Sequence, residues 1–260
     1  MADNNGGKGV LKMSYDQGVS SASNIYDFSI AKRIKQVLKH LSLEGKTLLD
    51  IGCGNGLYTI RFARSAWRTI GLDIAEESLN EARRNRTQPE AGPEFIKASA
   101  ENLPFPDGVF DVVLAIEVLD HIENQDSAIR EANRVLGHGG YLAVYVPNKL
   151  YPFETHGLRL GRRTLHGFHG SIPFFSWCPQ LLRKKFERAR IYRKKDITSL
   201  VERNGFTIGK VDYMYPPLDR LGSEWTKAFL RKFLAMLDGN RFTKKFGMSI
   251  FVLAQKAMPV

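Results

Sequence analysis

Hydrophobic and polar positions in the first half of the chain alternate between two patterns. Apolar residues from Ile25 to Leu41 recur at helical spacing, and short runs that favour buried strands follow. The predicted strands are Thr47–Ile51, Arg68–Asp73, Glu94–Lys97, Phe110–Ile116 and Tyr141–Val146, and the predicted helices between them are Leu57–Arg64, Ala75–Arg86 and Gln125–Leu136, the last ended by glycines 137, 139 and 140. Such alternation predicts a parallel sheet with helices on both faces.

The alternation stops after residue 148. Residues 148–192 are rich in Gly, Pro, His, Arg and aromatic residues and have no clear period. Helices are then predicted at Asp196–Asn204 and Ser223–Leu237, and strands at Phe206–Tyr213 and Gly247–Gln255. We therefore predict an α/β fold with a Rossmann-like, doubly wound, mostly parallel seven-stranded sheet. An insertion after the fifth strand is expected to form a lid over the carboxyl ends of the strands, where open α/β sheets bind ligands.

Four segments follow from these patterns. Residues 1–24 are expected to be a flexible tail, 25–148 a Rossmann-like cofactor-binding core, 149–193 a basic aromatic lid, and 194–260 the completion of the sheet with an amphipathic helix. Two cysteines do not make a disulfide framework, and no apolar leader or apolar stretch of about 18 residues is present. The sequence therefore predicts a cytoplasmic protein.

Charge is distributed unevenly along the chain. Residues 1–148 contain 16 Lys+Arg and 19 Asp+Glu, whereas residues 149–260 contain 22 and 8, which gives a net charge of −3 for the first part and +14 for the second. A basic half beside a slightly acidic half indicates that the basic half meets something anionic. Composition alone leaves open a phosphorylated substrate, an anionic lipid surface or a nucleic acid.

A glycine-rich loop follows the first predicted strand. Residues 50–56 read DIGCGNG, and Asp73 ends the next strand, where a carboxylate can accept hydrogen bonds from both hydroxyls of a ribose. The dinucleotide fingerprint is GxGxxG, whereas this loop is GxGxG with Asp50 directly before it. A pyrophosphate is repelled by such a carboxylate, but an amino-acid ammonium is attracted to it. The loop therefore favours a ligand with a positively charged amino group.

Four segments together carry a family resemblance. LLDIGCGNG, GLDIAEESLNEAR, SAENLPFPDGVFDVVLAIEVLDHI and EANRVLGHGGYLAVYVPN, in this order and spacing, resemble a class I S-adenosylmethionine (SAM)-dependent methyltransferase of the group that includes ubiquinone/menaquinone and sugar methyltransferases. The resemblance covers residues 30–148 well and 194–255 loosely. It implies SAM as the cofactor.

The resemblance also implies roles for individual residues. Asp50 and the loop backbone would hold the methionine part of SAM; the loop residues are Gly52, Cys53, Gly54, Asn55 and Gly56. Asp73 would bind the ribose hydroxyls, Ile74 would pack on the adenine, and Ala100 and Glu101 would flank the adenine edge. Glu117 would lie by the sulfonium and the methionine. Cys53 is expected to fill a tight loop rather than act as a nucleophile, since nothing near it in sequence lowers its pKa.

Candidate catalytic groups follow the fourth predicted strand. His121 is the first choice for a general base because imidazoles ordinarily titrate near neutral pH, and Asp120 stands beside it. Glu117, Asp120 and His121 could alternatively ligate a divalent ion, as a similar ExxEH pattern does in some quinol O-methyltransferases, but the shorter Asp argues against this and no metal is predicted. In the insertion, His156 lies two residues after Glu154 and is a further catalytic candidate.

The insertion combines aromatic and cationic residues. Ser171–Leu182 is apolar and contains Trp177, and residues 183–195 (RKKFERARIYRKK) contain eight Lys/Arg and one acidic residue. A membrane-surface segment has this composition, and the charge would equally capture a phosphorylated substrate. Nucleic acid is a less favoured partner because no RNA-binding module is recognisable. We expect a cytoplasmic enzyme that contacts the anionic membrane surface peripherally.

The leading functional prediction is therefore O-methylation of a glycan or of a lipid-linked, phosphorylated acceptor. The segments FETHG and PFFSW within residues 153–177 resemble lids of methyltransferases that act on surface-polysaccharide sugars. A quinone or isoprenoid methyltransferase, an RNA methyltransferase and a non-catalytic SAM-fold binding protein remain alternatives. Fold alone does not identify the acceptor.

Overall fold

The computed structural model describes residues 23–86, 92–152, 158–160, 163–165, 177, 189–215 and 240–257. The helices are α1 (Ser23–His40), α2 (Leu57–Phe62), α3 (Glu76–Asn85), α4 (Gln125–Val135), α5 (Lys194–Glu202) and α6 (Arg241–Lys244). The strands are β1 (Thr47–Ile51), β2 (Arg68–Asp73), β3 (Glu94–Lys97), β4 (Phe110–Ile116), β5 (Leu136–Pro147), β6 (Leu158–Leu160), β7 (Arg163–Leu165), β8 (Phe206–Met214) and β9 (Ser249–Lys256).

Seven strands form one open sheet in the order β3-β2-β1-β4-β5-β9-β8. Strands β1 to β5 are parallel, whereas β9 runs antiparallel between β5 and β8. The strand order reverses between β1 and β4, and we call this position the switch point. A ligand crevice in such sheets lies at the switch point, outside the carboxyl ends of the strands. The predicted mostly parallel seven-stranded sheet is therefore confirmed.

Both faces of the sheet are covered, as near-continuous apolar strands require. Successive residues of a strand point to opposite faces, so Leu49 joins the core under α4 and α5, while Leu48 joins the core under α1 and α2. Helix α1 contributes Val37 to this second core, and α2 contributes Phe62, both fully buried. These contacts hold α1 and α2 close to the switch point.

Strand β5 begins five residues earlier than predicted. The glycines that were expected to end the preceding helix lie within β5, and α4 ends at Val135. A Cβ on Gly140 would lie 2.9 Å from the carbonyl oxygen of Gly137 and 3.1 Å from that of Asp111. The β4–β5 register also shifts between Phe110 and Val112. These glycines therefore permit close backbone packing at an irregular start of β5. The helix does end just before them, as predicted, but the glycines belong to the next strand.

Other departures are small. Helix α1 begins at Ser23, inside the predicted tail, and α5 begins at Lys194, two residues before the prediction. Helix α6 and the antiparallel pair β6–β7 in the insertion were not predicted. The predicted helix Ser223–Leu237 and most of the predicted lid lie outside the described residues. Among the helices of the described part of the chain, none has the length and apolarity needed to cross a membrane.

Candidate functional site

The glycine-rich loop lies at the carboxyl end of β1, beside the switch point. Gly52, Gly54 and Gly56 have φ values of 68°, 52° and 78°, in the left-handed region that favours glycine. The N–H groups of Gly52 and Cys53 donate to the carbonyl oxygen of Leu72 at 2.7 and 2.9 Å. The loop is therefore tied to the neighbouring strand β2 while its path turns sharply.

The glycines of the loop serve two purposes. A Cβ on Gly52 would lie 2.2 Å from the Cγ2 atom of Val118, and a Cβ on Gly56 would lie 2.8 Å from the ring of Phe95. A Cβ on Gly54 would meet no described atom within 4 Å. Gly52 and Gly56 thus permit tight packing of the loop, whereas Gly54 borders open space that a ligand can fill.

Asp50 lies beneath this loop and is buried, with 2% of its surface exposed. Its Oδ2 atom accepts a hydrogen bond of 2.6 Å from Thr59 Oγ1. Burial raises the pKa of Asp50 to about 7, against the lowering effect of the Thr59 hydrogen bond and with a further increase from the nearby Asp73 carboxylate. A cation bound beside Asp50 would reverse this effect, because an opposite charge favours the ionised form.

Asp73 ends β2 and faces the same loop. Its Oδ2 atom accepts from the backbone N–H of Gly54 at 2.8 Å, and its Oδ1 atom accepts from that of Ala75 at 2.9 Å. The carboxylate therefore orients both the loop and the start of α3, a structural role that leaves acceptor capacity on each oxygen for ribose hydroxyls. The next residue, Ile74, is 70% exposed, which suits a side chain expected to pack on an adenine ring.

The two remaining loop residues have structural contacts. Cys53 is 5% exposed, and burial raises the pKa of its thiol, with further increases from the Asp50 and Asp73 carboxylates. The thiol is therefore a poor nucleophile, in line with the expected packing role. Asn55 donates through Nδ2 to Glu81 Oε1 at 3.4 Å, and its carbonyl oxygen accepts from Asn85 Nδ2 at 3.0 Å.

Ala100 and Glu101 lie in the turn that follows β3. Ala100 packs against the core on the α4 side of the sheet. The Oε1 atom of Glu101 accepts from the backbone N–H of Asn124 at 2.9 Å, and the side chain of Asn124 in turn caps α4 through the N–H of Ser127. This contact joins the turn after β3 to the segment after β4, so the predicted adenine edge and the predicted catalytic segment are neighbours.

Glu117 directly follows β4 and belongs to a polar cluster. Among the described residues it is the only non-glycine with positive φ, at 52°. Its Oε1 atom forms an ion pair with Arg33 of α1 and accepts from Ser249 Oγ at 3.2 Å. Arg33 also donates to the hydroxyl of Tyr58 at 2.8 Å. The sequence placed Glu117 at the cofactor site but gave no role to these three partners.

Asp120 and His121 lie in contact, with 3.2 Å between Asp120 Oδ2 and His121 Nε2. The Asp120 side chain is buried, whereas that of His121 is 53% exposed. Gln125 and the hydroxyl of Tyr192 both donate to the carbonyl oxygen of Leu119, at 2.5 and 3.1 Å. A buried carboxylate therefore lies beside a half-exposed imidazole at the carboxyl end of β4.

The end of the insertion returns to this position. Tyr192 bridges to Asn148 at the end of β5, and the N–H of Arg190 donates to the carbonyl oxygen of Asp120 at 3.1 Å. His156 lies outside the described residues, so its predicted role stays a prediction. Within the described ranges, no group of three or more His, Cys, Asp or Glu side chains is arranged to hold a metal ion.

Comparison with known proteins agrees with this geometry. Residues 49–144 match a family described as a methyltransferase domain. The chain is 29% identical over 157 residues to the ubiquinone biosynthesis O-methyltransferase of Nitrosococcus oceani, across 56% of this chain and 66% of that protein. It is 42% identical over 103 residues to the 27-O-demethylrifamycin SV methyltransferase of Amycolatopsis mediterranei, across 38% of each. The chain thus spans less than two thirds of the length of these curated relatives.

Solved structures show the same fold. An S-adenosylmethionine-dependent methyltransferase from Mesorhizobium loti superposes with a TM-score of 0.58 at 21% identity, over 86% of this chain and 96% of that one. One from Aquifex aeolicus superposes with a TM-score of 0.57 at 17% identity, over 95% and 97% of the two chains. At these identities the likeness concerns the arrangement of strands and helices.

Proposed function

We propose that this chain is a class I SAM-dependent methyltransferase and that it methylates a hydroxyl oxygen of an acceptor carried at a membrane surface. The observation that supports O-methylation is the contact between buried Asp120 and half-exposed His121 at the carboxyl end of β4. A hydroxyl acceptor must lose a proton during methyl transfer, so it needs a base at this position.

The residues around the loop fit SAM. Asp50 offers a buried carboxylate to the methionine ammonium, and Gly54 borders open space while its N–H donates to Asp73. Exposed Ile74 offers an apolar surface to the adenine. When bound, SAM supplies a methyl group that is activated by a positively charged sulfur and is released as that sulfur becomes a neutral thioether.

His121 would take the acceptor proton. Because Asp120 Oδ2 lies beside His121 Nε2, the carboxylate favours the tautomer with the proton on Nε2 and leaves the lone pair on Nδ1 for the hydroxyl. Methyl transfer to the hydroxyl oxygen would release the hydroxyl proton to His121. The hydroxyl proton is then held on His121 Nδ1 and passes to water, which balances the reaction.

An apolar and cationic surface near this site supports a lipid-linked acceptor. Trp177 of the insertion donates to the carbonyl oxygen of Leu150 at 3.2 Å, and its ring lies 6.5 Å from that of Phe246. Trp177, Leu150 and Phe242 are all exposed, and the Lys245 ammonium lies 5.3 Å from the Phe246 ring centre. We call these five residues the Trp177 patch. It lies where β5 ends and β9 begins, next to Asn148 and Tyr192 of the site.

The charge of the chain matches an anionic lipid surface. Residues 149–260, which include the Trp177 patch, carry 22 Lys+Arg against 8 Asp+Glu. Exposed aromatic residues next to lysines are the arrangement that a protein uses at a membrane interface. A phosphorylated lipid-linked glycan would present both its anionic group and its hydroxyls at such a surface. We therefore propose this acceptor class and a peripheral membrane location.

A quinol is the second acceptor class that we consider. It is favoured by relatives such as those of Nitrosococcus oceani and Pseudomonas paraeruginosa, which are named as ubiquinone biosynthesis O-methyltransferases. An isoprenoid-bearing quinol would also reside in a membrane, so the Trp177 patch serves both proposals. Incubation with SAM and either a polyprenyl-phosphate glycan or a prenylated catechol distinguishes them by which substrate gains the methyl group.

The catalytic part of the proposal is tested with His121→Gln and Asp120→Asn. Loss of a general base lowers turnover by about 10²- to 10⁴-fold, so we expect His121→Gln to lose turnover on this scale while its affinity for SAM is retained. His138→Gln is the matched control, because His138 is exposed at the amino-terminal start of β5, away from the site. Unchanged turnover in His121→Gln would contradict the assigned base.

The membrane part is tested by co-sedimentation with phosphatidylglycerol-containing vesicles. Burial of an aromatic side chain contributes about 1.5–3 kcal/mol, so Trp177→Ser and Phe242→Ser should each weaken vesicle binding by at least about tenfold. Trp67→Ser is the matched control, since Trp67 is 74% exposed at the amino-terminal end of β2, on the opposite side of the sheet. Equal losses in all three variants, or binding to RNA without binding to vesicles, would refute the lipid proposal.

A further inference from the structure

A buried arginine links the first helix to the cofactor site. The side chain of Arg33, on α1, is only 5% exposed, and its guanidinium lies 5.7 Å from the ring centre of Tyr145. A charged group with this burial is costly unless each part of it is paired. Arg33 occupies a position on the apolar face of α1 between Ile30 and Val37, where an apolar residue would pack at lower cost.

The polar contacts of Arg33 reach three elements around the switch point. Its Nη2 atom pairs with Glu117 at the end of β4 and donates to Ser249 Oγ at 3.3 Å at the start of β9. Its Nη1 atom donates to the hydroxyl of Tyr58, at 2.8 Å, in the helix that follows the glycine-rich loop. Within the described part of the chain, Nε has no hydrogen-bond partner. The partners of Arg33 are thus residues that border the expected cofactor position.

Glu117 depends on this pairing for its position. Its φ of 52° is a left-handed conformation that strains a glutamate backbone, and such strain persists only where surrounding contacts maintain it. The contacts from Arg33 and Ser249 both go to Oε1. With Oε1 so held and about a third of the side chain exposed, Oε2 remains for a cation at the cofactor site.

We propose that Arg33 is a positioning residue for SAM binding. Arg33 fixes the side chain of Glu117 so that Glu117 Oε2 accepts a hydrogen bond from the methionine ammonium. This inference rests on the proposed function, since it requires SAM at the glycine-rich loop. Helix α1 then forms part of the cofactor site through a single side chain. The two carboxylates Asp73 and Glu117 are still in excess over the one buried cation of Arg33, and a bound cation would also favour ionisation of Asp50, so a cationic ligand is attracted.

SAM binding by Arg33→Met and Glu117→Gln, measured by calorimetry, tests the proposal. A charge-assisted hydrogen bond is worth enough that losing it should weaken SAM affinity by at least about tenfold in each variant. The double variant should be no weaker than the weaker single variant, because both changes remove the same contact. Lys35→Met is the matched control, as Lys35 is exposed on the same helix, and it should bind SAM like the wild type.

A purely structural role for Arg33 makes a different prediction. In that case Arg33→Met would lower the denaturant midpoint, but the folded protein would bind SAM with wild-type affinity, and the proposal would be overturned. Arg33→Lys keeps the charge but lacks the planar fork, so it should fold and bind SAM several-fold more weakly, roughly between the wild type and the Met variant. Wild-type affinity in a folded Arg33→Lys protein would also overturn the proposal. Absence of SAM binding in the wild type would instead contradict the proposed function itself.

Discussion

Substitution of Asp50 by Asn should change how the stability of the protein depends on pH. Asp50 is buried and accepts a hydrogen bond from Thr59, which an asparagine oxygen can also accept. In the folded chain, burial raises the pKa of Asp50 to about 7, whereas an unfolded chain has an ordinary aspartate pKa near about 3.9. The folded state therefore disfavours the ionised carboxylate, and the Asn variant removes this ionisation.

The size of the effect follows from the pKa difference. A difference of about three pKa units corresponds to at most about 4 kcal/mol, at about 1.36 kcal/mol per unit. Because the folded pKa is the higher one, the wild type without ligand loses this stability as pH rises from about 4 to about 7 and loses no more above that. The difference in unfolding free energy between Asp50→Asn and wild type should thus shift by up to about 4 kcal/mol in favour of the variant between pH 4 and pH 8.

Urea denaturation of both proteins across this pH range measures the shift. Asp111→Asn is a control of opposite sign. Burial of Asp111 acts to raise its pKa, but hydrogen bonds from Thr47 and the Lys46 charge outweigh burial and lower it. That variant should lose stability by a constant amount from pH 4 to pH 8, and it should approach the wild type only below pH 4, as pH falls through the lowered pKa. A difference between Asp50→Asn and wild type that stays constant from pH 4 to pH 8 would refute the assigned burial effect.

Four further substitutions test the packing of the site and the core. Gly52→Ala should abolish SAM binding and destabilise the chain, because its Cβ would lie 2.2 Å from Val118, as measured by calorimetry and urea denaturation. Gly54→Ala should fold with a loss of roughly 1 kcal/mol from its positive φ, yet weaken SAM binding, since its Cβ would occupy ligand space. Phe62→Ala should cost about 3–5 kcal/mol of unfolding free energy, because the ring is fully buried. Cys53→Ala should retain SAM affinity within about twofold, since the buried thiol fills the loop and donates only a weak hydrogen bond, of 3.7 Å, to the carbonyl oxygen of Gly54.

Much of the fold could be predicted because local patterns and global packing agree. The strands β1, β2, β3 and β4 were predicted with the bounds that the structure shows, since each is a short run ended by polar or glycine signals. The start of β5 was missed because its glycines serve close packing against Gly108 and Phe110, which a linear pattern does not distinguish from a turn. Helix α6 has only four residues, too few to show a period.

The positions of candidate residues in the fold could be predicted where those residues are adjacent in sequence, whereas their roles stay predictions. The loop around Gly54 and the pair Asp120–His121 are local, and the structure brings them to one edge of the sheet. Arg33 was missed because its partners Glu117 and Ser249 lie 84 and 216 residues away. A signal was nevertheless present, since a charged residue occupies the apolar face of the first helix, where burial requires a partner. Tyr192 likewise lies in the basic run, which composition presents as a solvated surface.

Calorimetric titration with SAM, on the wild type and on Asp73→Ala, tests whether the glycine-rich loop binds SAM. Asp73 orients the glycine-rich loop through Gly54 and is placed to accept from the ribose hydroxyls. We expect one SAM to bind saturably per wild-type chain. In a folded Asp73→Ala protein, the affinity for SAM should be weakened by at least about tenfold. A folded wild-type protein that releases no heat on titration with SAM or with S-adenosylhomocysteine would contradict the assignment of SAM to this loop.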